Sequence, residues 1–325
     1  MKVFLTGGSG FLGRSVITKL VSEGHSVIAL VRSEESGVIV KNLGATPILG
    51  DITKPKYFSD AINGIEIAIH CAAPVEFWGP WEKFQSEIAD ATRLVAMECE
   101  KQKVRRFIYI SSESVLQNTN RLLDIDEKYP YPPEPNSYYG KAKKLAEEFL
   151  LSMSGKMEVI ILRPSYIWGP GSPSFDTLIG KAKSGQFMWI DKGTASFEAV
   201  HIENVAEAVS LSLTQGQNRG IYFITDGENS TTREFFENLF KALNAPIPTK
   251  SVPSLIMQPI ARIIESIWKI FNIKGHPPIT RFDLAFVGMP RRYIINRSKH
   301  ELNYQPVIDR KSGFLQISKL MGSSF

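Results

Sequence analysis

The sequence predicts an α/β fold in which a doubly wound parallel sheet is followed by a smaller, mixed C-terminal lobe. Short apolar runs alternate with helix-length amphipathic segments through the first half of the chain, as in sheets wound by crossover helices. A glycine-rich turn joins the first apolar run to the first helical segment. After residue 164 this rhythm breaks, and glycine and proline crowd into the stretch WGPGSP.

The first half of the chain supplies the strands and long helices of this sheet. Each strand candidate is a short apolar run, and each helix candidate is amphipathic. The strands are expected at residues 2–6, 26–31, 46–49, 67–70, 106–110 and 158–162, and the helices near residues 11–23, 82–102 and 138–153. We expect residues 1–164 to form the sheet domain and residues 165–325 to form mainly the second lobe, with some segments returning to the sheet.

Composition excludes several classes of protein. The chain has 325 residues, and its two cysteines, Cys71 and Cys99, predict neither a disulfide framework nor a metal site. Its formal charge is only +5, and its densest basic run, KQKVRR at 101–106, lacks the stacking aromatics of a nucleic-acid site. The apolar runs are too short for a membrane span, and the first residues enter a strand directly, unlike a signal peptide. We expect a cytoplasmic protein without nucleic-acid partners, and peripheral membrane contact stays open.

The turn TGGSGFLG predicts a phosphate-binding loop. Gly7, Gly10 and Gly13 lie between the first strand and the first helix, where glycines permit a tight turn and a close approach of the backbone to a pyrophosphate. Phe11 and Leu12 begin the helix whose N-terminus would face that charge. We therefore predict a Rossmann-type core that binds a dinucleotide. The alternative is an ordinary glycine-rich turn between a strand and a helix.

The residues after the second strand favour NADP(H) over NAD(H). An NAD site usually carries an acid at this position, whereas this chain has Arg32 and Ser33. Arg32 would form a bidentate pair with a 2′-phosphate, and Ser33 would add a hydroxyl. Glu34 and Glu35 keep NAD(H) as the alternative, in which Arg32 is a solvated charge at the end of a strand.

The stretch SYYGKAKKLAEE predicts an acid–base pair. Tyr139 and Lys143 stand four residues apart and therefore on one face of a helix. A free phenol has a pKa of roughly 10, and a nearby ammonium and a positively charged nicotinamide would lower this pKa toward neutrality. Ser112, which is preferred to Ser111, would hydrogen-bond the reacting oxygen. The alternative is a surface tyrosine and lysine on an amphipathic helix.

These motifs together resemble the extended short-chain dehydrogenase/reductase family over nearly the whole chain. In the family's order, the matching stretches are TGGSGFLG, GDIT, HCAAP, ISSESV, YYGKAKKLAE, LRPSYIWGPG, VHIENVAEAV and YIINRSKHELNYQP. The stretch FWGPWEKF at residues 77–84 is most similar to the 3β-hydroxysteroid dehydrogenase branch, which includes sterol-carboxylate dehydrogenases and bacterial 3-keto acid reductases. The resemblance implies an NAD(P)-dependent oxidoreductase that interconverts a secondary alcohol and a ketone on a hydrophobic substrate.

The resemblance also implies further site residues. In the family, the acid of the GDIT stretch binds adenine, the HCAAP stretch lies beside the ribose and nicotinamide, and the lysine of the YYGKAKKLAE stretch holds the nicotinamide ribose. His201 and Asn204 match a bracing motif, in which a structural histidine is preferred to a catalytic one. The additional cofactor-binding residues implied in this way are Asp51, Ile52, Ala72, Ala73, Pro164, Tyr139 and Lys143.

One position departs from the family pattern. The helix at residues 82–102 normally begins with an asparagine in the pattern NxxGT, and Ile88 and Ala91 stand here in place of the asparagine and glycine. In relatives, that asparagine helps to order backbone and water at the active site. The replacement brings efficient turnover into question.

Two other functions use the same fold. A nucleotide-sugar epimerase or dehydratase would use the same tyrosine but keep its cofactor bound through the cycle. A non-catalytic sensor would bind a dinucleotide without turnover, and the intact Ser112, Tyr139 and Lys143 argue against it. For the oxidoreductase we expect a small hydrophobic substrate, no metal, and either a monomer or a homodimer.

The segment from Val252 to Met289 predicts an amphipathic lid. Apolar residues recur in it at helical spacing, and two prolines precede Ile279. We expect this segment to form the hydrophobic wall or entrance of the substrate site and to touch a membrane; the alternative is a helix packed on the core. Its apolar stripe comprises Ile256, Ile260, Ile263, Ile264, Ile267, Trp268 and Phe271, and the cations that would meet anionic headgroups are Lys269, Lys274, Arg291 and Arg292.

Overall fold

The computed structural model describes residues 1–74, 76–118, 120–271 and 273–322. Its strands are β1 (Lys2–Thr6), β2 (Ser26–Val31), β3 (Thr46–Leu49), β4 (Ile67–His70), β5 (Arg106–Ile110), β6 (Leu122–Ile125), β7 (Glu158–Pro164), β8 (Tyr166–Trp168), β9 (Trp189–Ile190), β10 (Ala199–His201), β11 (Gly220–Ile224), β12 (Ser251–Val252) and β13 (Arg291–Tyr293). Its helices are α1 (Phe11–Ser22), α2 (Glu34–Asn42), α3 (Ser59–Ile62), α4 (Trp81–Phe84), α5 (Ala91–Lys101), α6 (Tyr138–Ser152), α7 (Ser174–Lys183), α8 (Ile202–Leu211), α9 (Thr232–Ala242), α10 (Ser254–Ile270), α11 (Arg281–Gly288), α12 (Asn296–Glu301) and α13 (Arg310–Met321).

A parallel sheet of seven strands forms the centre of the molecule, in the order β11-β7-β5-β4-β1-β2-β3. All the predicted strands lie in this sheet, and β11, from the second half of the chain, adds one edge. Strand β1 pairs with β2 on one side and with β4 on the other, so the direction of winding reverses between β1 and β4. In such sheets the ligand crevice lies at the carboxyl ends of the strands where the winding reverses.

Helices cover both faces of the sheet. Because side chains alternate along a strand, Val3 and Leu5 of β1 pack with apolar residues of α1 and α8, whereas Phe4 packs with those of α5 and α6. Both β11 and α8 belong to the second half of the chain, which therefore helps to build the sheet domain. The predicted doubly wound α/β fold is confirmed.

Two local elements differ from the prediction. Helix α2 lies outside the predicted helices, and Ser33 begins it by accepting a hydrogen bond from the Ser36 amide at 3.3 Å. The helix predicted near residues 82–102 consists of α4 and α5 with a π-helical segment, Gln85–Asp90, between them. Both differences lie beside the predicted site.

The second lobe has its own aromatic core. Rings from β8, β9, α7, α9 and α13 pack together there with rings from the connecting loops. The largest members of this core are Trp168, Phe175, Phe187, Trp189, Phe197, Phe235, Phe236, Phe240 and Phe314.

Strand β13 joins the second lobe to the sheet domain by pairing with β6. Arg291 is buried and forms an ion pair with Glu113 at 3.2 Å, and Tyr293 donates a hydrogen bond to the same carboxylate. Arg292 forms an ion pair with Asp124 at 2.5 Å. The prediction that Arg291 meets lipid headgroups is therefore wrong, because its guanidinium group is buried within the protein. Arg292 lies at the surface, where its ion pair with Asp124 is partly exposed, so the prediction for Arg292 stays a prediction.

Candidate active site

The predicted glycine loop lies between β1 and α1 and packs tightly on the chain that follows β4. Gly7 has a φ of +76°, and a Cβ atom there would lie 2.7 Å from the amide nitrogen of Ala72. A Cβ atom on Gly13 would lie 2.1 Å from the carbonyl oxygen of Gly7. Gly10 precedes α1 and offers no side chain to its first amides, so these N–H groups are available to an anion. Phe11 and Leu12 begin the helix and are half-buried.

Arg32 and Asp51 lie at the carboxyl ends of neighbouring strands, where the adenosine end of a dinucleotide would lie. Arg32 is exposed, and its charge helps to lower the pKa of Asp51, although the larger causes are hydrogen bonds from the amide and hydroxyl of Thr53. The Ser33 hydroxyl caps α2 by accepting a hydrogen bond from the Ser36 amide, and an acceptor in such a bond can still donate its own O–H. Ile52, beside Asp51, packs against the core on the α5 side of the sheet.

The chain after β4 is braced by a residue that sequence reasoning misses, Thr6. Its hydroxyl lies 2.6 Å from Nδ1 of His70 and 3.4 Å from the amide nitrogen of Ala72. Burial lowers the pKa of His70 to about 3, so this histidine is neutral. The stretch that contains Ala72 and Ala73 is thereby held against the glycine loop.

Three of the predicted catalytic side chains are close together. Tyr139 and Lys143 lie one turn apart on α6, with the Lys143 ammonium 5.8 Å from the centre of the Tyr139 ring. Lys143 is buried and donates a hydrogen bond to the carbonyl oxygen of Ile110 at 2.6 Å. The Ser112 hydroxyl accepts a hydrogen bond from the Ser114 amide at 3.2 Å and lies close enough to the Tyr139 phenol to act on its pKa, whereas the buried Ser111 hydroxyl has no partner among the described residues.

Burial controls the ionisation of this pair. It raises the pKa of Tyr139 to about 12, against the opposing hydrogen bond from Ser112. It lowers the pKa of Lys143 to about 8, although the charges of Cys71 and Glu147 act in the opposite direction. The expected lowering of the Tyr139 pKa by the ammonium is thus not found in this structure. Burial disfavours the charged phenolate, and this effect on the pKa is the largest one.

A buried ion pair continues the same helix face. Glu147 lies one turn beyond Lys143 and pairs with Arg163 at 2.6 Å, and neither side chain is exposed by more than 1%. The Tyr131 hydroxyl donates to Glu147 at 2.6 Å. This cluster fixes the end of β7, where Pro164 lies buried at the border of the site. Sequence reasoning misses Glu147, although its spacing of eight residues from Tyr139 on a helix places it on the catalytic face.

Ile88 lies in the π-helical segment and fills the position of the family asparagine. It is fully buried and packs with Phe84 and Ala142, next to Tyr139. Its carbonyl oxygen accepts a hydrogen bond from the Thr92 hydroxyl at 2.6 Å. An apolar side chain therefore stands at the position where the family resemblance implies an amide, and the carbonyl group of Ile88 is satisfied by Thr92.

His201 and Asn204 have structural contacts. His201 is buried, begins α8 and packs edge-on against Trp168 with ring centres 5.0 Å apart. Burial lowers its pKa to about 4. The Asn204 amide donates to Asp226 at 2.8 Å and its oxygen accepts from the Val307 amide at 2.7 Å. These contacts tie α8 to the second lobe and do not reach Tyr139.

A cavity of about 740 Å³ extends from the first residues of α6 into the second lobe; Tyr138 lines it, whereas Ser112, Tyr139 and Lys143 are not among its lining residues. Phe77 lines this cavity and packs edge-on against Tyr139, with ring centres 5.2 Å apart. Phe77 also stacks on Phe282 of α11 at 4.6 Å. Tyr138 and Trp78 complete the aromatic side of the cavity.

Helix α10 presents its polar side to this cavity. The cavity-facing residues of α10 are Ser254, Gln258, Arg262, Glu265 and Lys269. Its apolar stripe faces outward instead. The predicted segment therefore borders the cavity through the polar side of α10 and through α11, and not through the apolar stripe. Ile264 and Trp268 are half-buried against the protein, and Ala261 is the apolar residue of α10 that is fully buried. Residue 272 of the predicted lid lies outside the described residues.

The charged groups that line the cavity leave a surplus of positive charge. Within the lining, Lys141 pairs with Glu134 at 3.1 Å and Arg281 pairs with Glu265 at 2.8 Å. Asp191, the remaining acid, accepts a hydrogen bond from the Ser254 amide. The cavity-lining cations without a carboxylate partner in the described parts of the chain are Arg121, Arg262 and Lys269.

Lys269 lies closest to the catalytic end of this set. Its ammonium is 5.0 Å from the centre of the Tyr138 ring and 5.7 Å from that of Trp78. Trp78 and Tyr138 are the chain neighbours of Phe77 and Tyr139, whose rings are in contact with their centres 5.2 Å apart. A cation held over aromatic rings is desolvated on the side of the rings, and its opposite side can bind an anion.

The chain matches the model of the 3-beta hydroxysteroid dehydrogenase/isomerase family over residues 4–254. It belongs to this family. The resemblance inferred from the motifs is confirmed, and with it an NAD(P)-dependent oxidoreductase of the extended short-chain dehydrogenase type.

Individual relatives in and around this family match along almost their whole length. The decarboxylating sterol-4-alpha-carboxylate 3-dehydrogenase of Dictyostelium discoideum is 35% identical over 92% of this chain and 94% of that protein. A ketoreductase of a farnesylated dihydroquinoline oxide from Stigmatella aurantiaca is 30% identical over 96% and 94%. The UDP-glucuronic acid 4-epimerase of Bacillus cereus, solved in complex with NAD, has a TM-score of 0.75 at 18% identity, over 98% of this chain and 99% of that chain. This last likeness shows the fold alone.

Proposed function

We propose that this protein interconverts a hydrophobic hydroxy acid and oxo acid with NADP(H), with Tyr139 as the acid–base group. The observation that carries the proposal is that Ser112, Tyr139 and the buried Lys143 ammonium lie together, next to a cavity with surplus positive charge. The relatives named for a sterol carboxylate and for a farnesylated ring support an apolar substrate, and the first of them supports a carboxylate.

The glycine loop fits the dinucleotide that this function requires. The backbone of Gly7 and Gly8 lies too close to Gly13 for this residue to carry a Cβ atom. The first amides of α1 have no side-chain cap. When bound, the nicotinamide supplies or accepts the hydride. The residues that would hold the cofactor are Gly7, Gly10, Phe11, Leu12, Gly13, Arg32, Ser33, Asp51, Ile52, Ala72, Ala73, Tyr139, Lys143 and Pro164.

Tyr139 performs the proton transfer in both directions. With a pKa of about 12, its phenol is protonated near neutrality and donates a proton to the carbonyl oxygen during reduction. In oxidation, the phenolate removes the proton of the alcohol, and the positive charge of an oxidised nicotinamide favours that phenolate. Ser112 holds the same oxygen in place. Lys143 donates one N–H to the carbonyl oxygen of Ile110, and its other N–H groups would hold the nicotinamide ribose.

A carboxylate on the substrate would pair with Lys269. We expect Lys269→Ala to raise the KM for an apolar 3-oxo acid by roughly tenfold or more, because a hydrogen bond to a charged group contributes roughly 1.5–3 kcal/mol. The corresponding methyl ester should be affected far less. Steady-state kinetics on the acid and the ester measure the difference, and Lys250→Ala, an exposed lysine outside the cavity lining, is the control. Equal losses on acid and ester would contradict the carboxylate contact.

Arg32 should select NADP(H) over NAD(H). Removing its guanidinium in Arg32→Ala costs a charge-assisted contact with the 2′-phosphate, so we expect NADP(H) affinity to fall roughly 10- to 100-fold and NAD(H) affinity to change little. Fluorescence titration with both reduced cofactors measures this shift. Lys41→Ala, in the last turn of α2, is a control cation distant from the carboxyl end of β2. If both cofactors lose affinity equally, Arg32 does not select the phosphate.

A further inference from the structure

Helix α10 exposes a continuous apolar face to the outside of the molecule. Leu255, Ile263 and Ile270 are 86%, 60% and 76% exposed, and Phe271 directly after the helix is 72% exposed. The remaining large apolar side chains on this face are Ile256, Ile260, Ile267 and, beyond the helix, Ile273. A face of this size on one helix marks a surface that another apolar phase covers.

The charges around this face are all positive. Glu265 is the only acid in the sequence between residues 254 and 274; it is buried and pairs with Arg281. The exposed charged side chains of the same stretch are Lys274, beyond the helix, and Arg262 and Lys269, which also line the cavity. An apolar helix face bordered only by cations matches the acyl chains and anionic headgroups of a bilayer.

The dimensions of α10 suit a helix lying on a membrane. Its 17 residues span about 25 Å, yet no helix in the described part of the chain is long and apolar enough to cross a bilayer. The polar side of α10 lines the cavity while the apolar side faces outward. A bilayer touching the outward side would therefore lie one helix diameter from the cavity.

A second copy of the chain fits this face less well. In a dimer with a two-fold axis at α10, each copy would present the same surface to the other. The cations of both copies would then face each other across the interface. The acid within that stretch is buried, so it would not compensate for the repulsion. Charge complementarity thus favours an anionic lipid surface over self-association.

We propose that α10 lies in the interface of an anionic bilayer, with Leu255, Ile263 and Ile270 among the acyl chains, and that the cavity opens at this surface. Substrates dissolved in the membrane then reach Tyr139 past α10. This delivery rests on the proposed function, whereas the membrane contact does not.

Vesicle co-sedimentation of the full-length protein tests the contact. We expect the wild type to bind phosphatidylcholine vesicles that contain phosphatidylglycerol, and to bind pure phosphatidylcholine more weakly. The triple variant Ile263→Gln/Ile267→Gln/Ile270→Gln should bind at least about tenfold more weakly, because its apolar insertion is lost. The control triple variant is Val38→Gln/Met97→Gln/Leu320→Gln, whose side chains are 57%, 50% and 70% exposed elsewhere on the molecule.

The outcomes distinguish a lipid surface from a second copy of the chain as the partner of this face. Equal vesicle binding by the α10 variant and the wild type would overturn the proposal, as would a lipid-free wild-type dimer that the α10 variant converts to a monomer. Lys274→Glu should weaken binding to the anionic vesicles only. Both triple variants should reduce a short, water-soluble oxo acid at the wild-type rate. A protein that binds vesicles but shows no hydride transfer refutes the proposed function and leaves the membrane contact intact.

Discussion

Replacing Tyr139 by phenylalanine is expected to lower kcat by roughly 10²- to 10⁴-fold, the range that a positioned acid–base group contributes. The substitution removes the hydroxyl that bonds to Ser112 and leaves the ring packed against Phe77. The phosphate loop and the Lys143–Ile110 hydrogen bond are untouched, so dinucleotide affinity should stay within about twofold of the wild type. Single-turnover hydride transfer and cofactor titration measure the two quantities separately.

Two variants make this result specific. Tyr138→Phe removes a neighbouring hydroxyl while keeping the ring under Lys269, and we expect nearly unchanged turnover. Lys143→Ala removes a group that faces both the ribose and the phenol, so it should reduce affinity and turnover together. If Tyr139→Phe keeps most of its single-turnover rate, another group transfers the proton and the assignment of Tyr139 fails.

The sheet and the catalytic helix were predictable because local patterns determine them. Strands buried on both faces read as uninterrupted apolar runs, as in β4 and β5, so their bounds follow directly from the sequence. A spacing of four residues on a helix is enough to place Tyr139 beside Lys143. The glycine loop was predictable for the same reason, since its function depends on a contiguous stretch.

Contacts between distant parts of the chain were not predictable in this way. Periodicity shows that α10 has two unlike faces, but which face meets the protein depends on Leu284 and Ile190, which come from other elements. The preference for Ser112 over Ser111 depends on the path of the chain after β5, and only the structure shows which hydroxyl reaches Tyr139. The ion pairs Arg291–Glu113 and Arg292–Asp124 join residues that are far apart in the sequence, 168 positions in the second case.

Gly13→Ala is expected to lower dinucleotide affinity by roughly 100-fold or more. The added Cβ atom would lie 2.1 Å from the Gly7 carbonyl oxygen and 2.7 Å from the Cα atom of Gly8, and both are backbone atoms that cannot rotate away. The loop must shift, and the loss of two charge-assisted hydrogen bonds to a pyrophosphate at roughly 1.5 kcal/mol each gives this factor. Equilibrium titration with NADPH measures the affinity, and thermal unfolding reports on the fold.

Variants at two further glycines distinguish a local change in the loop from a loss of the fold. Gly37→Ala in α2 places its Cβ atom 3.6 Å from Pro47, which is ordinary contact distance, so this buried control should keep both its affinity and its melting temperature. Gly10→Ala meets only the Gly7 carbonyl oxygen, at 3.3 Å, and should fold normally. If Gly10 lies against the pyrophosphate, its variant loses affinity without a change in melting temperature. Full NADPH affinity in both Gly10→Ala and Gly13→Ala would show that this loop does not hold the phosphates, and the cofactor site would have to be sought elsewhere on the sheet.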